Sequence, residues 1–295
     1  MGDVRGWLIH DSLKLKHDET FLIHYSCIHY SFRPLHDGTI DSTIITTMNI
    51  TPCDIAAFCA HPDDMELNCG GTLALSAKQG WKTAAVDFTR GELSTRGTPE
   101  NRDKEAAAAA GALGLSCRVN LGLPDGHLQD TDENRKQVVR ALRLMRPRVV
   151  IAPPLEDHHA DHVAVATILS RSVYLAGVAK YLPGLEPWRP HALLHYLGSR
   201  PAIPALVVNI SSVFELRMEA TRRYRSQFYQ ENSSEASTRI SHPEFLQAIE
   251  GRARSFGAFI GAAFGEAYTV DEPVPVTDLV TLYSKEPWEQ PRKNN

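Results

Sequence analysis

The chain has 295 residues, 43% of them hydrophobic and 22% charged, with a formal net charge of −4. This is enough for one large α/β domain, or a domain with an appended piece, and a slightly acidic balance without a long basic run argues against nucleic acid or an anionic membrane as partner. No apolar run reaches the roughly 18 to 20 residues of a membrane span, no secretory pattern opens the chain, and five cysteines without a CxxC pair read as reduced thiols in a cytoplasmic protein.

Residues 1–47 differ from the rest. They carry His10, His17, His24, His29 and His36, and no sustained apolar period of either 3.6 or 2. The histidine spacing suits no compact metal site. The segment is expected to be a non-native or disordered extension, with Met48 as the natural start, residues 48–284 as a single domain and 285–295 as a frayed tail.

From Asp54 onward strands and helices alternate. Asp54–Ala60 is a short apolar strand, Gly71–Lys78 a helix, Lys82–Phe88 a second strand. Pro99–Leu113 is a helix with proline at its start, where a missing N–H costs little. Arg118–Leu121 is a third strand, and Asp132–Met145 an amphipathic helix with Val138, Val139, Leu142 and Met145 on one face. Arg148–Ala152 is a buried strand and His162–Val178 a further helix. Beyond it, Ala192–Leu197 and Ala205–Ile210 read as strands, Ser212–Gln227 and Pro243–Ala263 as helices. The repeated β-α order implies a Rossmann-like three-layer αβα fold with a mostly parallel sheet. In such sheets sites form at the rim beyond the carboxyl ends of the strands.

Two clusters fall on that rim. The first strand runs into His61-Pro62-Asp63-Asp64-Met65-Glu66. A dinucleotide-binding fold would place Gly-x-Gly-x-x-Gly there; this chain has only Gly70-Gly71, after the acidic cluster. Adjacent carboxylates repel a phosphate and attract a cation. The strand "RVVIA" is followed by Glu156-Asp157-His158-His159-Ala160-Asp161-His162. If the two strands are parallel, both clusters share one rim and offer more than the three protein ligands that a catalytic divalent metal needs beside an open position. Taken singly, each has a bland explanation: Asp63-Asp64 as a helix cap, and His-x-Asp-His as a helix start whose aspartate complements the dipole. Two such clusters, each closing a predicted parallel strand, are harder to explain that way.

The stretch "AHPDDMEL" with "GGTLA", paired with "HADH" about 100 residues later, resembles the PIG-L/LmbE family of zinc-dependent N-acetylglucosamine deacetylases. The likeness runs from about Met48 to Ser284. It includes "TRGELSTRGTPENRDKEA", "NLGLPDG", "YRSQF" and "GEAY", a set most similar to the branch that deacetylates N-acetylglucosaminyl-malate in bacillithiol biosynthesis. Residues 1–47 depart from that pattern.

The resemblance implies Zn²⁺, with Fe²⁺ as the alternative in cells, on His61, Asp64 and His162. It implies Asp63 as general base, His159 as acid or oxyanion stabiliser, Asp161 as orienter of a histidine, and Glu66 as a brace of the ligand loop. It also implies a homo-oligomer, in the family often a hexamer. Arg90, Glu92, Arg102 and Asp125 lie in or near loops after the second and third strands and are expected to reach a sugar conjugate. An arginine there would grip the malate carboxylates. Tyr224, Arg225 and Gln227, from a helical segment, are expected to close the pocket or simply to pack. Against these stand ordinary alternatives: an i, i+3 helix pair for Arg102 and Glu105, turn chemistry for Glu92 and Asp125. His127, His158, His191, His195 and His242 are read as non-catalytic. The expected function is therefore hydrolysis of the N-acetyl group of an N-acetylglucosamine conjugate, with a small molecule as the only partner beside self-association. The malate conjugate comes first, an inositol conjugate or chitooligosaccharide second. A dinucleotide-binding oxidoreductase and a non-enzymatic metal module are the rivals from other classes.

Overall fold

The structure is a computed structural model that describes residues 50–198, 200, 202–231 and 233–280. The expectations about residues 1–47 and 285–295 lie outside the described residues. Seven strands form one sheet: β1 (Ile55–Cys59), β2 (Thr83–Asp87), β3 (Cys117–Asn120), β4 (Val149–Ala152), β5 (Ala192–Tyr196), β6 (Leu206–Asn209) and β7 (Gly265–Val270). Their order is β3-β2-β1-β4-β5-β7-β6. The pairs β1–β2, β1–β4, β2–β3 and β4–β5 are parallel, and β7 is antiparallel to both β5 and β6. The expected mostly parallel α/β sheet is what the chain forms.

Strand alternation divides the core in two. Ala56, Phe58, Val86, Val119 and Val150 face α4 (Asp132–Met145) and α5 (Ala160–Ala176), meeting Val138, Leu142, Ile168 and Leu169. Ala57, Cys59, Ala85 and Ile151 face the other way, towards α2 (Gly70–Lys78), α3 (Pro99–Leu113), α6 (Phe214–Thr221) and α7 (Phe245–Ala258). Both faces of the parallel strands are buried, which explains their continuous apolar runs.

Most element boundaries follow local chemistry. Thr98 and Thr131 accept backbone N–H bonds from Asn101 and Asn134, and so start α3 and α4. Gly114 ends α3 at φ 71°. Four elements differ from the sequence reading. A five-residue helix α1 (Asp64–Asn68) precedes α2. The two C-terminal helices are shorter than expected, ending in turns at both sides. And β7, unread as a strand, carries a buried Glu266 in its middle.

Glu266 settles the meaning of the glycine pair. Its carboxylate accepts from Gly71 N (2.9 Å), Thr72 N (2.7 Å) and Thr72 Oγ1 (2.7 Å), and it stands 3.2 Å from Arg217 Nε. The positive end of α2 is thus neutralised from within by a side chain. A Cβ on Gly71 would come within 2.8 Å of Ile210 and 2.9 Å of Glu266, so the glycine is there for close packing. The N–H groups that would face a pyrophosphate at this helix are taken by Glu266, which speaks against the dinucleotide alternative.

Candidate metal centre and active site

The chain leaves β1 for β2 and β3 on one side, then returns through β4 to the other side of β1. The loops after β1 and β4 therefore diverge from neighbouring strands and leave a crevice between them. The two clusters of the sequence occupy these two loops.

In the first loop Asp63 takes φ 119° and ψ −26° and begins α1. This is a strained conformation for a residue with a side chain. It directs Asp64 back under the loop, where Asp64 Oδ2 accepts from His61 N at 2.9 Å. Asp63 itself meets Arg102 of α3, Oδ2 to Nη2 2.7 Å, with both side chains buried. Burial raises the Asp63 carboxyl above its ordinary range, despite the guanidinium beside it.

In the second loop His159 stands at the N-cap of α5, and Asp157 organises what surrounds it. Asp157 Oδ1 accepts from His159 N (3.1 Å), and Oδ2 stands 3.1 Å from His162 Nδ1. The other nitrogen of His162, Nε2, is 3.2 Å from Asp64 Oδ1. His61 repeats the pattern. Its Nδ1 is 3.5 Å from Asp64 Oδ2, while its Nε2 lies 3.0 Å from Asp125 and 3.5 Å from Asp161. Each imidazole thus turns one nitrogen to Asp64 and has the other anchored by carboxylate, as metal-binding histidines are held.

The charges fit a cation. Burial opposes charge on His162, yet Asp64 and Asp157 overcome it and lift its pKa to about 10. Burial also opposes charge on His61, and Asp125, Asp161 and Asp64 outweigh it. Asp64, although buried, is held well below the ordinary carboxylate range by His162 and His61. His159 moves down instead, through burial and the neighbouring His61 and His162. Its Nδ1 accepts from Asp161 N at 3.3 Å, so the neutral ring carries its proton on Nε2.

Two groups bring ligand atoms within 4.8 Å of one another: His61, His159 and His162, and His61, Asp125 and Asp161. In the second group the carboxylates are occupied: Asp125 Oδ2 accepts from Leu93 N (2.9 Å) and Asp161 Oδ2 from Gly126 N (2.7 Å). They hold the back of His61. Asp64 stands beside the first group, its Oδ1 3.2 Å from His162 Nε2 and its Oδ2 3.5 Å from His61 Nδ1. The imidazoles of the first group, with Asp64 beside them, offer the nitrogen and oxygen donors that a zinc-like cation takes.

The cavity above these groups has a volume of about 790 Å³. His61, Asp63, Asp64, Arg102, Asp125, His159, His162 and Gln227 line it. Other expected site residues do not. Arg90 faces Asp103 (2.5 Å) and Glu100 (3.5 Å), because α3 brings those carboxylates over its loop. Glu92 accepts from Arg90 N and Asp125 N and ties two loops together. Tyr224 is fully buried and donates to Glu66 Oε1 at 3.0 Å. Asp161 lies behind His61 rather than in the cavity wall. Glu66 also meets Arg118 at 2.6 Å beneath α1, the bracing part expected of it. Arg102 and Glu105 form no pair with each other; Glu105 accepts from Ser226 N and Oγ. Asp157 was missed as the anchor of His162. So was the wall built by Arg239, His242, Phe245, Ile249 and Arg252. His158 and His242, set aside as non-catalytic, stand in the lining.

The family model described as PIG-L, GlcNAc-PI de-N-acetylase, matches residues 56–173, from β1 through α5 and so across both loops. The uncharacterized deacetylase YaiS of Escherichia coli is 35% identical over 138 residues, 44% of this chain and 72% of that protein. Diacetylchitobiose deacetylase of Thermococcus kodakarensis is 29% identical over 184 residues, 57% of this chain and 67% of its own. A probable N-acetyl-α-D-glucosaminyl L-malate deacetylase 2 of Bacillus cereus is 29% identical over 183 residues, covering 57% and 80%. Among solved structures, a conserved protein of Thermus thermophilus is 38% identical with a TM-score of 0.70, over 81% of this chain and 100% of that one. The fold alone is shared with a 4-carboxy-2-hydroxymuconate hydratase of Pseudomonas, 19% identical with a TM-score of 0.65 over 77% and 99%. By the relatives it matches along most of their length, and by the profile that spans both loops, the chain belongs to the PIG-L deacetylase family.

Proposed function

We propose that the protein hydrolyses the N-acetyl group of an N-acetylglucosamine conjugate, with N-acetylglucosaminyl-malate as the first substrate to test, as a step of bacillithiol biosynthesis. The observation that carries it is the pair of imidazoles each facing Asp64 with one nitrogen and a carboxylate with the other, beside the buried Asp63. Such a set suits metal-assisted activation of water, and the family's deacetylases point to hydrolysis of an amide. His61, Asp64 and His162 would hold the metal. Zn²⁺ is the first choice for two imidazoles and a carboxylate, with Fe²⁺ as the cellular alternative. A bound Zn²⁺ supplies Lewis acidity at the acetyl carbonyl and lowers the pKa of water towards about 7.

The chain's own groups do the rest. Asp63, raised in pKa by burial, is poised to take the proton of the attacking water and return it to the departing amine. Arg102 fixes the carboxylate and keeps it from pairing elsewhere. His159, neutral with its proton on Nε2, is a hydrogen-bond donor for the tetrahedral oxygen, a contribution of about 3–4 kcal/mol. The structure favours this over its part as an acid, since its pKa moves down. Asp125 and Asp161 orient His61, and Asp157 orients His162. Gln227, held by Ser94 Oγ and Arg96 O, lines the substrate side.

The test is release of free amine from N-acetylglucosaminyl-malate by the purified protein, with and without a chelator, beside Asp63→Ala. Metal-dependent release by wild type alone is expected, with Asp63→Ala slower by about 10²–10⁴. Activity that survives both changes would defeat the mechanism. Release from diacetylchitobiose or an inositol conjugate, and not from the malate conjugate, would keep the chemistry and change the substrate.

A further inference from the structure

The acids of a substrate need cations, and the arginines expected to supply them are taken. Arg90 is held by Asp103 and Arg102 by Asp63. The guanidinium groups that remain in the cavity lining are Arg239 and Arg252. Arg252 sits on α7 in register with Phe245, Ala248 and Ile249, at spacings that put all four on one helix face. That face lines the cavity, with Leu67 and Ile240 adding apolar wall.

Arg252 donates through Nη2 to Leu67 O (2.6 Å) and Asn68 Oδ1 (2.9 Å). Among the described residues its Nε and Nη1 meet no acceptor, and no carboxylate lies within ion-pair distance. Neither nitrogen is sealed off from solvent. Burial, with Arg217 nearby, pulls its pKa down to about 10, the sign of a cation short of counter-charge. Arg239 contacts His158 Nε2 at 3.3 Å and has no acidic partner among the described residues. Glu244 lines the same wall but is exposed and pairs with neither arginine. A half-buried guanidinium without an anion is costly unless a ligand brings one.

We propose that Arg252 and Arg239 form an anion subsite that reads acid groups, carboxylate or phosphate, on the aglycone of the substrate. The sugar lies towards Asp63 and the metal loop, the aglycone along Phe245 and Ile249, and its acid on the guanidinium groups. The inference rests on the deacetylase reading for the placement of the sugar. Its rival is that Arg252 only caps the last carbonyls of α1.

Two readouts on the zinc-loaded protein separate these. The probes are N-acetylglucosaminyl-malate, N-acetylglucosamine 1-phosphate and the neutral methyl N-acetylglucosaminide. Calorimetry reads the subsite without turnover. At least one acidic probe is expected to bind wild type about tenfold or more tighter than the neutral glycoside, and which one binds tells carboxylate from phosphate. Arg252→Gln is expected to cut that preference about tenfold, and in turnover to act through KM of the acidic substrate far more than through kcat. Arg239→Gln, on the exposed side, repeats the test if Arg252→Gln fails to fold. Equal binding of the three probes, no binding of any, or an equal loss on acidic and neutral probes in both variants would overturn the subsite. Preferential acid binding with no amine released from these probes, from diacetylchitobiose or from an inositol conjugate would instead overturn the deacetylase reading and leave the subsite.

Discussion

Asp63 shows how a single residue is kept in a costly state. Its backbone, at φ 119°, stores about 1–3 kcal/mol, and its carboxylate is buried against Arg102. Asp63→Gly relieves the strain but leaves Arg102 unpaired, at about 3–5 kcal/mol. The single variant is therefore expected to be less stable than wild type, and Asp63→Gly/Arg102→Met to recover most of the loss, both measured by urea unfolding. A double variant no more stable than the single would show that the pair does not balance the strain. Tyr224→Phe is a second case at this scale. It removes a buried bond to Glu66, so stability is expected to fall by about 1–2 kcal/mol while KM stays the same, since the hydroxyl does not reach the cavity. The residues of "HPDD" and "HADH" were legible because each closes an apolar run with groups that a buried strand end does not otherwise tolerate. Asp157 was not, because an aspartate in an acid-rich loop looks the same whether it anchors an imidazole or faces water. Arg90 was misread because Asp103, its partner across the loop, is an ordinary helix residue in the sequence.

The elements under the rim are joined by buried charge. Arg118 of β3 meets Asp87 of β2 through Nε and Nη2 (2.7 and 2.9 Å) and Glu66 of α1 through Nη1 (2.6 Å). Arg118→Met would strand two buried carboxylates, and a loss of about 3–5 kcal/mol or more is expected in denaturant unfolding. At the start of α2, Gly71→Ala forces a Cβ against Ile210 and Glu266. A loss of about 1–3 kcal/mol in stability is expected, together with weaker metal retention in dialysis, because only the short α1 separates α2 from the metal loop. Helices α3 and α4 were legible to the residue, since threonine caps and a glycine stop mark them. The five residues of α1 were not, being too short to show a period. Nor was β7, where Glu266 breaks the apolar alternation in order to cap α2 from a distance. The expected helices at 212–227 and 243–263 were too long because turn residues at their ends carry apolar side chains that pack without helical geometry.

At the scale of the whole molecule, parallel strands and a rim site could be read from the alternation of elements. The strand order could not, because nothing local records which strands lie side by side. That order is what matters: it seats β4 beside β1 and so brings two distant loops into one crevice. A metal bound there stabilises the native state by mass action, by about 2.7 kcal/mol at a hundredfold excess over Kd. A chelator is accordingly expected to lower Tm and Zn²⁺ to restore it, and an unchanged Tm would argue against a metal on these residues.

The crevice has a topological consequence too. Asp64 and His162 belong to parts of the chain roughly 100 residues apart, so an ion shared by them is a crosslink. Such a tie holds only while the ion stays bound, so its contribution is the binding free energy to the native state and nothing besides. Unlike a disulfide it can be withdrawn by acid or by a competing ligand. An ion held there would then also be a clasp between the loops that follow β1 and β4, on the two sides of the crevice.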